Sequence, residues 1–522
     1  MKRFCLILLA VTLAVMTVVS CKKEQPEPPE PIYTNDLFAD ACHCLFWTVL
    51  GSNTDGALPW MQFWSGYLSE SKNNQYGQLG TPSRYTPIAQ IYTNAIAKLD
   101  EVINMNKDPN QQNLPNVLSL GSNANQIAAA KTLEAYYYMF LTDMMGPIVI
   151  TNTFQGKPES SPLAYSDQRK VYTLLDDVLK EAYLQFNTSE SLYKLSDIAY
   201  AGDIAKWKKL NASIRMLLAI KLCDVDPASG KYRFAEAYGD GGMTAVADGL
   251  DYYFGNRNQN PLYKWCSNSL ATSDKNLVPN MILVDEMKKL KDPRMFAYFD
   301  IEGYKGTRDE SSFPRKKYTS FYGEPFGLAT DADVTAFSNV VCSINSKLLG
   351  TSAKIPVIPA ARILFVEAEA AYRGWISADA KALYEAGIKA SFSQWKASGV
   401  SSYLVSSGVA YYSGTALEQI AAQRWIASYM SDGVEVWSDW RRTNIPKLPV
   451  GPAAVAKGID QYPYRLKFNN DPSTKYTSIQ LDAAIKDLRG ETDDVTSRLW
   501  WDVMENSKST LTDSQCQPPA LP

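Results

Sequence analysis

The stretch LEQIAAQRWIASYMSDGVEVWSDWRR, residues 417–442, decides the fold. Leu417, Ile420, Ala421 and the Arg424–Trp425 pair recur at helical spacing, so its first half reads as an amphipathic helix. Gly433 is expected to supply the left-handed position that ends this helix, with Asp432 suited to the turn. Val436, Trp437 and Trp440 then begin a second apolar stripe. The reading is a helical hairpin with three tryptophans near its seam. Just upstream, ILFVEAEAAYRGW (363–375) carries Ala368, Ala370 and Ala371, small enough to let another helix approach closely. These are parts of a helical-repeat scaffold, and they point to a protein that holds something rather than cuts it.

Working outward, helical periodicity runs from about Ile88 through IAQIYTNAIAKLDEVI and breaks in a polar loop at 105–124. It resumes at Asn125 and stops at Gly146-Pro147. A further pair covers Asp167 to about Phe186 and Gly202 to Cys223, with Asp203 as N-cap and Asp226-Pro227 as the stop. Pairs return at Ile358 to Trp375, Ala378 to Ser398 and the hairpin itself. Four helix pairs, at about 85–225 and 355–445, thus flank an irregular insertion at about 226–354 rich in Gly, Asn, Ser, Pro and Tyr. No fixed period repeats, so the tetratricopeptide-like reading rests on the pairing of helices.

The chain's 522 residues, 46% of them hydrophobic, suffice for a large core. The first twenty residues read as a targeting signal: Lys2 and Arg3, then an apolar run from Phe4 to Val19 that is short for a membrane span. The run ends Val18-Val19-Ser20-Cys21, a bacterial lipobox with Cys21 as the residue to be lipidated. The following KKEQPEPPEP has no core-forming residue, and its prolines favour an extended tether of about 30 Å at ~3.1 Å per residue. The expected organisation is signal peptide 1–20, lipidated tether 21–32 and body 33–522. Without Lys2 and Arg3 the 52 basic residues fall to 50 against 55 acidic ones, a net charge of −5. With no basic stripe, nucleic acid is not an expected partner.

Several chemistries are set aside on spacing. Cys42-His43-Cys44 has no second ligand pair, and His43 is the only histidine, so neither a zinc site nor a His-dependent triad is expected. Asp224-Val225-Asp226 does not fit an EF-hand loop, which leaves a calcium site of another kind open. No phosphate loop or nucleophile elbow appears, and nothing marks one carboxylate pair over another. The expectation is no catalytic residue, no metal and no cofactor.

In order along the chain stand the Cys21 lipobox, AAAKTLEAYYYMFLTDMMGPIVI (128–150), AKWKKLNASIRMLLAIKLCDVDPA (205–228), LKDPRMFAYF (290–299) and YGEPFGL (322–328). Then come ILFVEAEAAYRGW, ALYEAGIKASFSQW (382–395), WSDWRRTNIPKL (437–448), YPYRL (462–466) and RLWWD (498–502). In this order they resemble the SusD/RagB family, the nutrient-binding outer membrane lipoproteins of Bacteroidetes, and in phrasing its SusD-like subgroup. The resemblance implies an all-α fold in which tetratricopeptide-like helix pairs support a loop-rich ligand face. It also implies a SusC-like TonB-dependent transporter as partner, and lipid-anchored residence at the outer membrane, on the cell surface. One departure is that Lys22 and Lys23, rather than an acidic run, follow Cys21.

Sugar rings bind on flat aromatic faces, with amides and charges on their hydroxyls. Trp60, Gln62, Trp64 and Tyr67 form one such set, and Tyr252, Tyr253, Asn256, Arg257, Asn258 and Trp265 in the insertion another. These are the expected ligand residues. The plainer alternative is that they pack the insertion onto the helices. Trp207, Trp425, Trp437 and Trp440, on periodic apolar faces, read as core. Three functions stay open: capture of an oligosaccharide, capture of a peptide as in the RagB branch, and a helical scaffold that binds only proteins.

Overall fold

The computed structural model describes residues 30–46, 48, 57–67, 86–255, 260, 276–301, 320–328, 330, 333, 336–337, 341–351, 353–468, 478–505 and 509–518. The chain divides into two compact units, Met1–Tyr33 and Thr34–Pro522. Cys21 and the tether before residue 30 lie outside the described residues, as do Asn256, Arg257, Asn258 and Trp265.

Helix α1 (Thr34–His43) opens the larger unit, and α2 (Ala97–Lys107) follows a π-helical turn at Ile91–Ile96. Helix α3 (Asn123–Met145) is the centre of the first half. Ser122 caps it by accepting from the Asn125 amide, and Gly146, at φ 92°, closes it in a conformation costly for any side chain. Every residue of α3 from Asn125 onward is buried, so α3 must be enclosed on all sides. Helices α2, α4 (Gln168–Gln185) and α5 (Ile204–Ile220) pack around it. The consecutive Tyr136, Tyr137 and Tyr138 are all inside, and each hydroxyl donates: to Asp432 Oδ2 (2.8 Å), the Ala41 carbonyl (2.6 Å) and Thr151 Oγ1 (3.2 Å).

Asp226-Pro227, read above as the end of α5, also begins α6 (Pro227–Asp240), which packs against α5. Proline at the first helical position loses only an amide that has no helical partner, and Asp226 accepts from the Ser229 amide. The irregular insertion therefore starts about fourteen residues later than its composition implies.

In the second half α7 (Met281–Lys289) is brief, and α8 (Ala360–Tyr372) pairs with α9 (Ala380–Gln394). Their close approach is visible at Gly387, where a Cβ would stand 2.8 Å from the Phe365 ring. The hairpin is α10 (Ala416–Ala427) and α11 (Gly433–Thr443). Its turn differs from expectation. The left-handed residue is Met430 (φ 61°), while Gly433 is the first residue of α11 and Asp432 its N-cap, accepting from the Val434 and Glu435 amides. A carboxylate at an N-cap satisfies two otherwise orphaned donors, which outweighs glycine's preference for a helix end.

Four two-stranded antiparallel pairs complete the described structure. They are β1 (Trp64–Tyr67) with β5 (Asn276–Pro279), β2 (Ile148–Val149) with β3 (Tyr165–Ser166), β4 (Leu250–Tyr253) with β8 (Lys354–Ile358), and β6 (Phe299–Asp300) with β7 (Ser343–Ile344). Two of the four, β1–β5 and β4–β8, join the insertion to the rest of the chain, while β6–β7 lies within it.

Two buried ionic clusters meet on α11. Glu435 and Asp143 of α3 both bind the ammonium of Lys221 at the end of α5. Burial opposes the charge on Lys221, but the two carboxylates outweigh it and hold its pKa above the ordinary value. On the other side Glu369 of α8 binds Arg424 (2.9 Å) and Arg442, and Asp439 binds Arg362 (2.7 Å) and Arg424 (3.0 Å). Burial works against ionisation of Glu369, yet Arg442 and Arg424 hold its carboxyl well below the usual range. Removing one partner of a buried cluster strands the others without compensation. Glu369→Ala is therefore expected to cost about 3–5 kcal/mol of stability, read as a lower urea midpoint at unchanged m-value. A loss below about 1 kcal/mol would show that the arginines find other partners.

Candidate functional site

The expected ligand residues separate into three groups. Trp60, Gln62 and Trp64 are wholly interior. Trp60 meets Trp437 edge-on at 5.1 Å, Phe63 stacks on Trp425 at 5.3 Å, and Trp64 packs against Tyr429 at 6.0 Å. Gln62, in a left-handed conformation (φ 54°), donates to the Pro449 carbonyl (2.7 Å) and to the Tyr462 hydroxyl. This segment is a wedge against the α10–α11 hairpin, and it presents no free ring face. Expecting a sugar platform here is corrected by burial: Ala57, Trp60, Met61, Phe63 and Trp64 form an apolar run too dense for a surface loop.

Tyr252 and Tyr253 lie on β4, where alternation sends neighbouring side chains to opposite faces. Tyr252 points inward, with Phe254 at 5.2 Å and Phe46 at 6.2 Å, so it too is packing rather than platform. Tyr253 is 53% exposed. The ammonium of Lys354, on the paired strand β8, stands 5.5 Å from its ring centre and forms an ion pair with Asp251. Burial raises the Asp251 carboxyl, and Lys354 pulls it part of the way back. The result is an aromatic face with an ammonium and a carboxylate beside it, two residues before Gly255 and the insertion segment that carries Asn256, Arg257 and Trp265. Tyr67 ends β1, opposite Asn276.

A second feature carries no local sequence signal. An open cleft of about 440 Å³ lies between α2 and the loop after β2. Helix α2 contributes Asp100, Glu101 and Asn104, and the loop contributes Thr151, Asn152, Thr153 and Glu159. Thr151 Oγ1 donates to Asp100 Oδ1 (3.0 Å), and its own amide donates to the Tyr138 hydroxyl (3.0 Å). Asn104 donates to Thr153 Oγ1 and Glu159 Oε1, both at 3.2 Å. Burial pushes the Asp100 carboxyl up to about 7, against the Thr151 hydrogen bond and with help from Glu159. Glu134 of α3, behind this wall, is raised well above the usual range by burial and then by Asp100. Asp100 and Glu101 fall in the stretch read correctly as helix, but nothing in a linear sequence brings them to residues fifty positions later.

The tryptophans expected in the core are there, and their indole N–H groups are satisfied. Trp207 donates to Asp197 Oδ2 (2.7 Å), Trp425 to the Met61 carbonyl, Trp437 to Pro463 and Trp440 to Pro446, the last three at 3.1 Å. Arg441 and Arg442 are interior as well, the first 4.0 Å from the Trp437 ring centre, the second on Glu369.

A protein-family model, SusD-like, described as starch-binding and associating with the outer membrane, matches residues 26–469. Among solved structures, a chitin-binding SusD homologue from Flavobacterium johnsoniae superposes with a TM-score of 0.73 at 23% identity, covering 91% of this chain and 99% of that one. A SusD homologue from Bacteroides vulgatus gives 0.72 at 22% identity over 91% and 98%, and one from Bacteroides uniformis 0.70 at 21% over 90% and 99%. At these identities the likeness is one of fold. No curated protein matches the chain in sequence.

The raised Asp100 carboxyl makes a pH prediction. Between about 4, its ordinary value, and about 7 the folded protein holds a proton that the unfolded chain releases. Its contribution to stability therefore falls as pH rises through that window. In Asp100→Asn this part of the slope, roughly 2–4 kcal/mol in all, is expected to vanish from urea midpoints measured between pH 4 and 8. An unchanged slope would mean that Asp100 is ionised throughout.

Proposed function

The chain belongs to the SusD-like family, and from that premise we propose that it is an outer membrane lipoprotein that captures an oligosaccharide and delivers it to a SusC-like TonB-dependent transporter. The observation that carries this reading is the family match over residues 26–469, whose description joins starch binding to the outer membrane. The chitin-binding homologue of the same fold supports a sugar as the ligand class.

In this reading residues 1–20 are removed, Cys21 carries the lipid, and 22–32 tether the body, 33–522, to the cell surface. Function is binding without chemistry. Tyr253 offers a ring face to the apolar side of a sugar, and the neighbouring Lys354 ammonium and Asp251 carboxylate offer partners to its hydroxyls. We assign Tyr67, Asn256, Arg257 and Trp265 to the same ligand face, and give Trp60, Gln62, Trp64 and Tyr252 the role of anchoring it. The family's TonB-dependent partner takes the ligand over as the lipoprotein moves on its tether.

Isothermal titration of the purified protein against a glycan panel and a peptide pool tests this. One glycan class is expected to give heat, and Tyr253→Ala to weaken it about tenfold, the ~1.4 kcal/mol near the top of the range for a stacked aromatic pair. Heat from peptides alone would transfer the chain to the RagB-like branch. Silence toward both, with and without the transporter, would leave a scaffold that binds only proteins.

A further inference from the structure

The ladder that presents Tyr253 carries more positive charge than a neutral sugar needs. Alternation along β4 puts Asp251 and Tyr253 on one face, and the cross-strand partner of Tyr253 is Lys354 on β8. The ion pair between Lys354 and Asp251 is 2.5 Å long but unevenly buried: the lysine side chain is 39% exposed, the aspartate 8%. A molecule arriving at the Tyr253 ring therefore meets the ammonium before the carboxylate. Burial opposes the charge on Lys354, and Asp251 outweighs it, holding the group protonated above its ordinary range.

A second cation stands at the edge of this face. Lys206 lies in the first turn of α5, close enough to Asp251 to favour its ionised form. Lys209, one turn further along the same side of the helix, is bound to the buried Asp248 at 2.9 Å. Lys206 has no such partner and enters no ion pair. Asp203, the exposed acidic residue of this flank, caps α5 by accepting from the Lys206 amide (3.1 Å) and does not pair with its ammonium. Two lysines thus act on one buried carboxylate, which leaves a positive charge in surplus beside an exposed ring.

That surplus selects among ligands. An ammonium has three donors and no acceptor, whereas the hydroxyls of a neutral sugar both give and take hydrogen bonds. A carboxylate or a sulfate ester on a sugar ring only accepts, and its bonds to an ammonium are about twice as strong as neutral ones. Tyr253 supplies what the apolar face of the same ring requires.

We propose that the ligand of this face is an acidic sugar, its ring stacked on Tyr253 and its carboxylate or sulfate group held by Lys354 and Lys206. The inference rests on the glycan-capture reading and names the class of glycan taken at that site.

The test is titration of the full-length protein in detergent with matched oligosaccharides. Oligogalacturonate, alginate and hyaluronan fragments are set against their methyl esters, and sulfated galactan fragments against unsulfated ones. An acidic sugar is expected to bind at least tenfold more tightly than its neutral counterpart, and the arm that binds tells carboxylate from sulfate. The preference is expected to shrink several-fold between about 0.05 and 0.5 M salt. Lys206→Gln breaks no ion pair, and it is expected to weaken the acidic ligand several-fold and leave the neutral one unchanged. Lys354→Gln is expected to weaken the acidic ligand about tenfold, while Lys354→Arg, which keeps the charge, stays close to wild type. Neutral sugars bound as tightly as acidic ones, and lost in Tyr253→Ala, overturn this inference and leave the capture reading standing. Acidic binding indifferent to Lys206→Gln and Lys354→Gln overturns the site. Heat from no glycan of either kind fails the capture reading and the inference with it.

Discussion

Helix α11 is tied on two sides by buried charge, and the arrangement of both halves depends on it. Glu435 reaches through Lys221 to Asp143, joining α11 to α5 and α3. Asp439 and Arg442, one turn away, reach Glu369, Arg362 and Arg424, joining it to α8 and α10. Hydrophobic burial supplies most of the driving force, but it is non-directional and would accept these helices in many registers. Ion pairs inside a protein are poor sources of net stability, because desolvation consumes the Coulombic gain. What they supply here is selectivity: a helix slipped by one position would leave several charges buried without partners, at a cost that no other packing recovers.

That constraint explains which parts of the chain were legible. The stretches that carry the family resemblance are largely those that contribute to this buried polar frame. Asp143 lies in the 128–150 segment, Lys221 in 205–228, Glu369 in 363–375, Asp439 and Arg442 in 437–448. A charged residue on an otherwise apolar helical face is conspicuous in a sequence, and a set of them at fixed places along a chain is difficult to produce by accident. The helix pairs, the capping role of Asp203 and the four core tryptophans follow from such local signals, whereas the cap of α3 at Ser122 does not.

The misreadings share a cause as well. Trp60 and Trp64 carry the same side chains as an aromatic platform, and outside a long periodic run no local signal says whether such a ring faces water or the core. Their burial is decided by Trp437 and Tyr429, more than 350 positions away. Gly433 and Pro227 have local preferences that suit a helix end, yet both sit at helix starts, since an aspartate immediately before each residue caps the helix that follows. On β4 the two-residue period does separate Tyr252 from Tyr253, but it cannot say which of the two faces the solvent.

The division between frame and site has a physical basis in strand length. Isolated two-stranded pairs are marginal in water, and β1–β5 and β4–β8 contribute only a few backbone hydrogen bonds each. They hold their place because their inward residues are gripped by the frame: Trp64 against Tyr429 on one pair, Tyr252 against Phe46 and Phe254 on the other. Each inward anchor thereby fixes the direction of its outward neighbour, and Tyr253 inherits a defined position without itself being packed. The acidic cleft is placed differently. Asp100 is set by a helix, and by Thr151 and Tyr138, with no insertion residue involved. A ligand face that draws its side chains from the insertion can change without disturbing the ionic frame, whereas the cleft is built from the helical body and can change only with it.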